Sequence, residues 1–111
     1  MIIVQVHHNQ TGSALYEHVA NVSYQGEDVE HALDYAWERT QNIDGSWSRG
    51  ITYPDGQRNA DYSAHIERLA PLPVYDGKTF GLRSSMVGDR FVIEGVGAWK
   101  VAGCGFEKEA A

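Results

Sequence analysis

No lysine or arginine occurs in the first 38 of the 111 residues, a stretch that nevertheless carries six acids: Glu17, Glu27, Asp28, Glu30, Asp34 and Glu38. From Arg39 onward nine basic residues meet nine acids, so the whole formal excess of −6 belongs to the N-terminal part. Such a chain should repel nucleic acid, whose non-specific binding needs a basic footprint. It suits instead a partner protein with a basic surface, or mimicry of a nucleic acid; the alternative is an acidic helix face that is simply solvated.

Cysteine is almost absent. Cys104 stands alone, which excludes an internal disulfide, and between Gly103 and Gly105 it has no neighbouring histidine or basic residue to activate it, so a small buried side chain is expected. No apolar run approaches membrane-spanning length, and Met1-Ile2-Ile3-Val4 enters a strand-like pattern without a basic leader or cleavage site, so the expectation is a cytoplasmic protein with no membrane contact. Glycine-rich phosphate motifs of the Walker or dinucleotide type are missing, and none of the five histidines falls in a metal-binding spacing, so neither cofactor nor metal is expected. Nor is there a nucleophile elbow. For catalysis one can assemble only His65 with Asp61 and Ser63, which leaves a small hydrolase or transferase as a third reading and no catalytic residue assigned.

What is present fits one α+β domain spanning residues 1–111, with 42% hydrophobic residues to fill a core. Ile2 to His8 and Ala14 to Tyr24 alternate as strands around the turn formers Asn9 to Ser13, giving a hairpin in which Tyr16, His18, Ala20, Val22 and Tyr24 share a face. After Gly26, the spacing of Val29, Leu33, Ala36, Trp37 and Thr40 predicts a helix with a single apolar stripe and Trp37 as its largest filler. Glu27, Asp28 and Glu30 in its first turn and Arg39 in its last match the macrodipole, and Asn42 is the expected stop. Further strands are expected at Ile51 to Tyr53, Ala64 to Leu69, Thr79 to Ser84, Arg90 to Glu94 and Ala98 to Ala102. Pro54 to Asp61 reads as an exposed turn and Pro71 and Pro73 suit a sheet edge. The architecture implied is an N-terminal β-hairpin and one amphipathic helix packed on an antiparallel sheet, with a strand-rich C-terminal half curled as a small half-barrel. Trp99 and Phe106, each beside glycine, are expected in the core.

Between the helix and these strands lies Asn42-Ile43-Asp44-Gly45-Ser46-Trp47-Ser48-Arg49-Gly50. A mere connector does not need a tryptophan beside an arginine, two hydroxyls and two glycines, so the segment reads as a binding loop; the alternative is that Trp47 plugs the core. Ser46, Trp47, Ser48, Arg49, Tyr53, Arg58, Arg83, Ser84 and Ser85 are the set to gather for an anionic ligand such as a nucleotide. Arginine forks hold phosphate oxygens in paired bonds, and Trp47 or Tyr53 would stack on a base. Glu27, Asp28, Glu30, Asp34 and Glu38 are the matching set for a basic partner protein.

The segment Arg83-Ser84-Ser85-Met86-Val87-Gly88-Asp89, with Phe91-Val92-Ile93 and Val101-Ala102-Gly103-Cys104-Gly105-Phe106-Glu107 behind it, resembles a C-terminal pattern of small accessory proteins carried by phages and plasmids. The resemblance implies a mobile-element origin rather than an activity. In that setting the expected role is a non-enzymatic protein that blocks a host defence component, as an anti-CRISPR does, by presenting its acidic surface. The second expectation is a sponge for a nucleotide-like anion, as in evasion of cyclic-nucleotide defence. A homo-oligomer is compatible with either.

Overall fold

In β1 (Ile2–Asn9) the side chains of Val4, Val6 and His8 are buried and their neighbours are more exposed, the period-two pattern of a strand with one face on the core. β1 pairs antiparallel with β2 (Tyr16–Tyr24). The computed structural model describes residues 1–10 and 13–110, so Thr11 and Gly12 of the expected turn lie outside the described residues. The shared face expected for the second strand is corrected by a bulge. Pairing passes from Val6 with Ala20 to His7 with His18, leaving Val19 as an extra residue. An extra residue reverses which side chains point inward. Val19, Ala20 and Val22 are therefore buried, whereas His18 stacks on His7 at 4.5 Å and Tyr16 lies 4.6 Å under the Arg90 guanidinium, on the open side of the sheet.

The helix α1 spans Val29–Arg39. Asp28 is its N-cap, accepting the His31 N–H at 2.9 Å. Glu27 lies before the helix and meets the N-terminal amine at 2.9 Å, so neither residue is in the first turn as expected. The helix stops at Thr40, short of Asn42, because the Thr40 hydroxyl takes the Ala36 carbonyl at 2.8 Å and its own N–H reaches Ala36 and Trp37. Ala32, Leu33 and Ala36 are buried against β1 and β2. Trp37 is only half-buried, because the two alanines bring the helix close to the sheet and leave the indole at the margin.

Six strands form one antiparallel sheet in the order β3-β2-β1-β6-β7-β8, with β3 (Ile66–Arg68), β6 (Arg90–Ile93), β7 (Gly97–Ala102) and β8 (Gly105–Lys108). The C-terminal strands thus extend the sheet of the N-terminal hairpin, and β8 adds a strand that periodicity did not indicate. β4 (Val74–Tyr75) and β5 (Lys78–Thr79) form a separate hairpin closed by Asp76 and Gly77, both at positive φ as a type I′ turn requires. The strand expected over Thr79 to Ser84 therefore ends at Thr79, and Ile51 to Tyr53 yields only an isolated bridge between Thr52 and Arg58. Pro71 and Pro73 follow the edge strand β3, where a missing N–H leaves no ladder bond unmade. The core lies between α1 and one sheet face and is built from Val4, Val6, Val22, Leu33, Phe91 and Trp99 with Trp47 inserted from the loop. Among the described residues no helix is long and apolar enough to cross a membrane.

Candidate functional site

The loop after α1 folds inward. Trp47 is 1% exposed, so it plugs the core and does not face a ligand as its composition suggested. Its indole N–H donates to the Arg83 carbonyl at 2.9 Å and its backbone N–H to Asn42 Oδ1 at 2.9 Å. A loop drawn into the interior must find partners for its backbone, and here two side chains from the stretch expected to be an exposed turn supply them. Asn59 is buried. Its Oδ1 accepts the Ser46 N–H at 2.9 Å and the Tyr53 hydroxyl at 3.2 Å, while its Nδ2 donates to the carbonyls of Ser46 and Gly50 at 2.6 and 3.0 Å. Asp61 Oδ2 accepts three successive N–H groups, from Ile43, Asp44 and Gly45, at 2.7, 3.0 and 2.8 Å. Ser48 is buried too, its hydroxyl accepting the Leu82 N–H at 2.7 Å.

The Arg83 turn serves the same end. Asp89 is fully buried and takes both arms of the Arg83 guanidinium at 2.8 Å, the Asn9 N–H at 2.8 Å and the Met86 N–H at 2.7 Å. Burial alone would raise the carboxyl, but the Arg83 fork and the two backbone donors outweigh it and hold Asp89 below its ordinary value. Beside it, His8 Nε2 lies 3.1 Å from Ser85 Oγ and 3.8 Å from Asp89 Oδ2, and Ser85 Oγ is 2.7 Å from Thr40 Oγ1. Serine, histidine and aspartate meet here, yet they do not make a relay. A relay uses the two ring nitrogens separately, whereas here one nitrogen faces both partners, Asp89 is saturated by Arg83, and Ser85 is buried. Burial brings the His8 imidazole down to about 4, with Arg83 adding to the effect and Asp89 opposing it, so the ring is neutral near pH 7. None of His8, Thr40, Asn59 and Asp89 belonged to the ligand or partner sets expected from sequence. Only Asp89, closing the turn after Gly88, carried any local signal.

The expected ligand set is therefore divided. Arg83, Ser84 and Ser85 belong to the junction around the buried Asp89, with Ser84 Oγ accepting the Asn42 N–H at 2.8 Å, and Arg58 is exposed apart from them. Trp47, Ser48 and Arg49 instead line a hollow of about 310 Å³ together with Tyr62, Ser63 and Arg68. Arg49 lies 5.1 Å over the Tyr53 ring and donates to the Thr79 carbonyl at 3.2 Å. The catalytic grouping of His65, Asp61 and Ser63 does not assemble: Asp61 is engaged by the loop, and His65 Nδ1 sits 2.7 Å from the Tyr35 hydroxyl.

The acidic face has a different setting. Glu30, Asp34 and Glu38 recur every fourth residue of α1 and are exposed. Glu30 and Asp34 border a hollow of about 210 Å³, and Asp34 and Phe106 are shared with a neighbouring one of about 300 Å³, so the two lie side by side as a trough between α1 and β7–β8. Its floor is apolar: Leu33 and Trp37 on the helix, Trp99 and Val101 at period two on β7, and Phe106 opposite Val101 on β8. Trp99 is buried as expected, and Phe106 is half-buried with its ring 5.4 Å from Phe91. Cys104, expected inside, is exposed, because it sits in the tight β7–β8 turn that Gly105 closes at positive φ. Among the described residues no group of three His, Cys, Asp or Glu side chains gathers to hold a metal. No protein-family model matches the chain, and no curated protein or solved structure matches it either, so the trough and the arginine-lined hollow are read from their own geometry.

Proposed function

We propose that the protein acts by binding rather than turnover, and that the trough between α1 and β7–β8 takes a basic, apolar-anchored segment of a partner protein. The observation that carries this reading is the pairing of a floor of Leu33, Trp37, Trp99 and Phe106 with a rim of Glu30 and Asp34, the rim belonging to the part of the chain that holds all of the excess negative charge. An aromatic-lined hollow supplies affinity through a few buried anchors, while the carboxylates steer the encounter and select the sign of the partner. A mobile-element protein of this kind would capture a basic segment of a host defence component, which is the partner chemistry that the surface fits.

Peptides selected from a random display library on the immobilised protein test this. Lysine- or arginine-rich sequences carrying one or two large apolar residues are expected. Their binding should weaken as salt rises, and the double variant Glu30→Lys/Asp34→Lys should lower affinity about tenfold or more, since each lost tenfold is only about 1.4 kcal/mol. Selected peptides without a basic excess, or binding indifferent to both changes, would overturn the reading.

A further inference from the structure

We infer a second binding site, at the other end of the sheet, for a phosphate group carried on an aromatic base. β3 and β8 are the two edges of the six-stranded sheet. The trough lies at the β8 end, and the hollow of about 310 Å³ lies at the β3 end, between Trp47–Gly50 and Ile66–Arg68. In a chain with a formal charge of −6, this hollow is lined by two arginines, Arg49 and Arg68. Period two puts Ile66 and Arg68 on one side of β3 and turns Glu67 to the other, where it accepts a bond from Asn21 at 2.9 Å. Asp61, next to Tyr62, has one carboxylate oxygen held by three loop N–H groups.

Arg49 donates to the Thr79 carbonyl at 3.2 Å and Arg68 to the Ala70 carbonyl at 2.6 Å, and among the described residues neither has a carboxylate partner. One arm of each is thus fixed while other N–H donors remain for an anion, the geometry that suits oxygen atoms of a phosphate. Ser63 accepts the His65 N–H at 3.2 Å and keeps its own proton to donate. Tyr62, which is exposed, and Leu72 complete the wall with an aromatic and an aliphatic surface on which a base can lie. The volume of about 310 Å³ stands at the lower end of the roughly 300–1,000 Å³ usual for small-molecule pockets.

Calorimetric titration with AMP, adenosine and inorganic phosphate at low salt tests the site. AMP should bind, with adenosine and inorganic phosphate each weaker by about tenfold or more, because charge-assisted bonds and stacking each contribute on that scale. Arg49→Ala and Arg68→Gln should each weaken AMP about tenfold or more, the latter keeping a donor for the Ala70 carbonyl so that the fold is unaltered, and Arg58→Ala should leave AMP binding unchanged. Glu30→Lys/Asp34→Lys, which only makes the chain less negative, should not weaken it, so failure at one site does not bear on the other. No AMP binding at millimolar concentration, equal binding by a folded Arg49→Ala/Arg68→Gln variant, or inorganic phosphate binding as tightly as AMP would overturn the inference.

Discussion

The Trp47 indole donates its N–H to the carbonyl of Arg83 at 2.9 Å, while the Arg83 guanidinium grips Asp89 with both arms at 2.8 Å. One residue thus joins the loop after α1 to the turn before β6, its backbone serving the first and its side chain the second. Asn9, which donates its N–H to Asp89, ties β1 into the same junction. The segment that looked most like a ligand loop is therefore a keystone of the fold through Trp47, while its outer residues Arg49 and Gly50 line the proposed arginine hollow.

Replacing Trp47 should be among the most damaging single changes in the chain. Trp47→Ala removes a fully buried indole and is expected to destabilise by about 3–5 kcal/mol. Trp47→Phe keeps most of the volume but leaves the Arg83 carbonyl without its donor, a loss of about 1–3 kcal/mol. Urea unfolding followed by circular dichroism would separate the two, and a Trp47→Ala variant as stable as the parent would show that the indole is not a core element.

Stability should fall on acidification between about pH 6.5 and 4. His8 has its folded-state pKa lowered from 6.5 to about 4 by burial, so in this window the unfolded chain binds the proton and the folded one does not. The contribution is fully present above 6.5 and is lost as the pH drops through 4, amounting to at most about 3 kcal/mol. His7, lowered to about 4 by partial burial and by His18 and Arg90, adds in the same direction with a smaller share because it is more exposed. Asp89 acts in the same sense at lower pH: its contribution is present above 3.8 and disappears as the pH falls below that. Urea midpoints of the parent and of His8→Gln at pH 7.5 and 4.5 would check this; an equal drop in both would remove His8 as a cause.

Two glycines should respond oppositely to alanine. A Cβ at Gly81 would collide with the Ser46 hydroxyl and come within 3.2 Å of Ser48 Oγ, the atom that holds the Leu82 N–H. Gly81→Ala should destabilise by about 1–3 kcal/mol. Nothing lies within 4 Å of a Cβ built at Gly50, and its φ is not in the left-handed region, so Gly50→Ala should stabilise by about 0.4–1 kcal/mol by restricting the unfolded chain. Thermal unfolding of both variants reads the difference in sign.

Period-two alternation located β1, β2, β6 and β7, and the apolar spacing from Val29 to Ala36 located α1, because these patterns record which side of an element meets the core, whatever the core contains. The α+β class and the packing of one helix on an antiparallel sheet follow from that. The bulge at Val19 was not legible, since both strand faces offered apolar residues and one extra residue shifts the register without altering composition. β8 was hidden for a similar reason: Gly105 to Lys108 contains one apolar side chain, and it is a strand through its pairing with β7.

The acidic first third, the lone cysteine and the single convincing helix are properties of the chain read in line, and they stand wherever its parts come to rest. Which arginines share a surface is not of that kind. Arg49 lines a hollow with Arg68 while Arg83 is committed to Asp89, because the strand order carries Ile66–Arg68 to one edge of the sheet and sets the buried Asp89, just before Arg90, near its middle. The trough likewise exists only once β7 and β8 are laid beside α1, since hydrophobic contact depends on proximity in space and not on separation along the backbone.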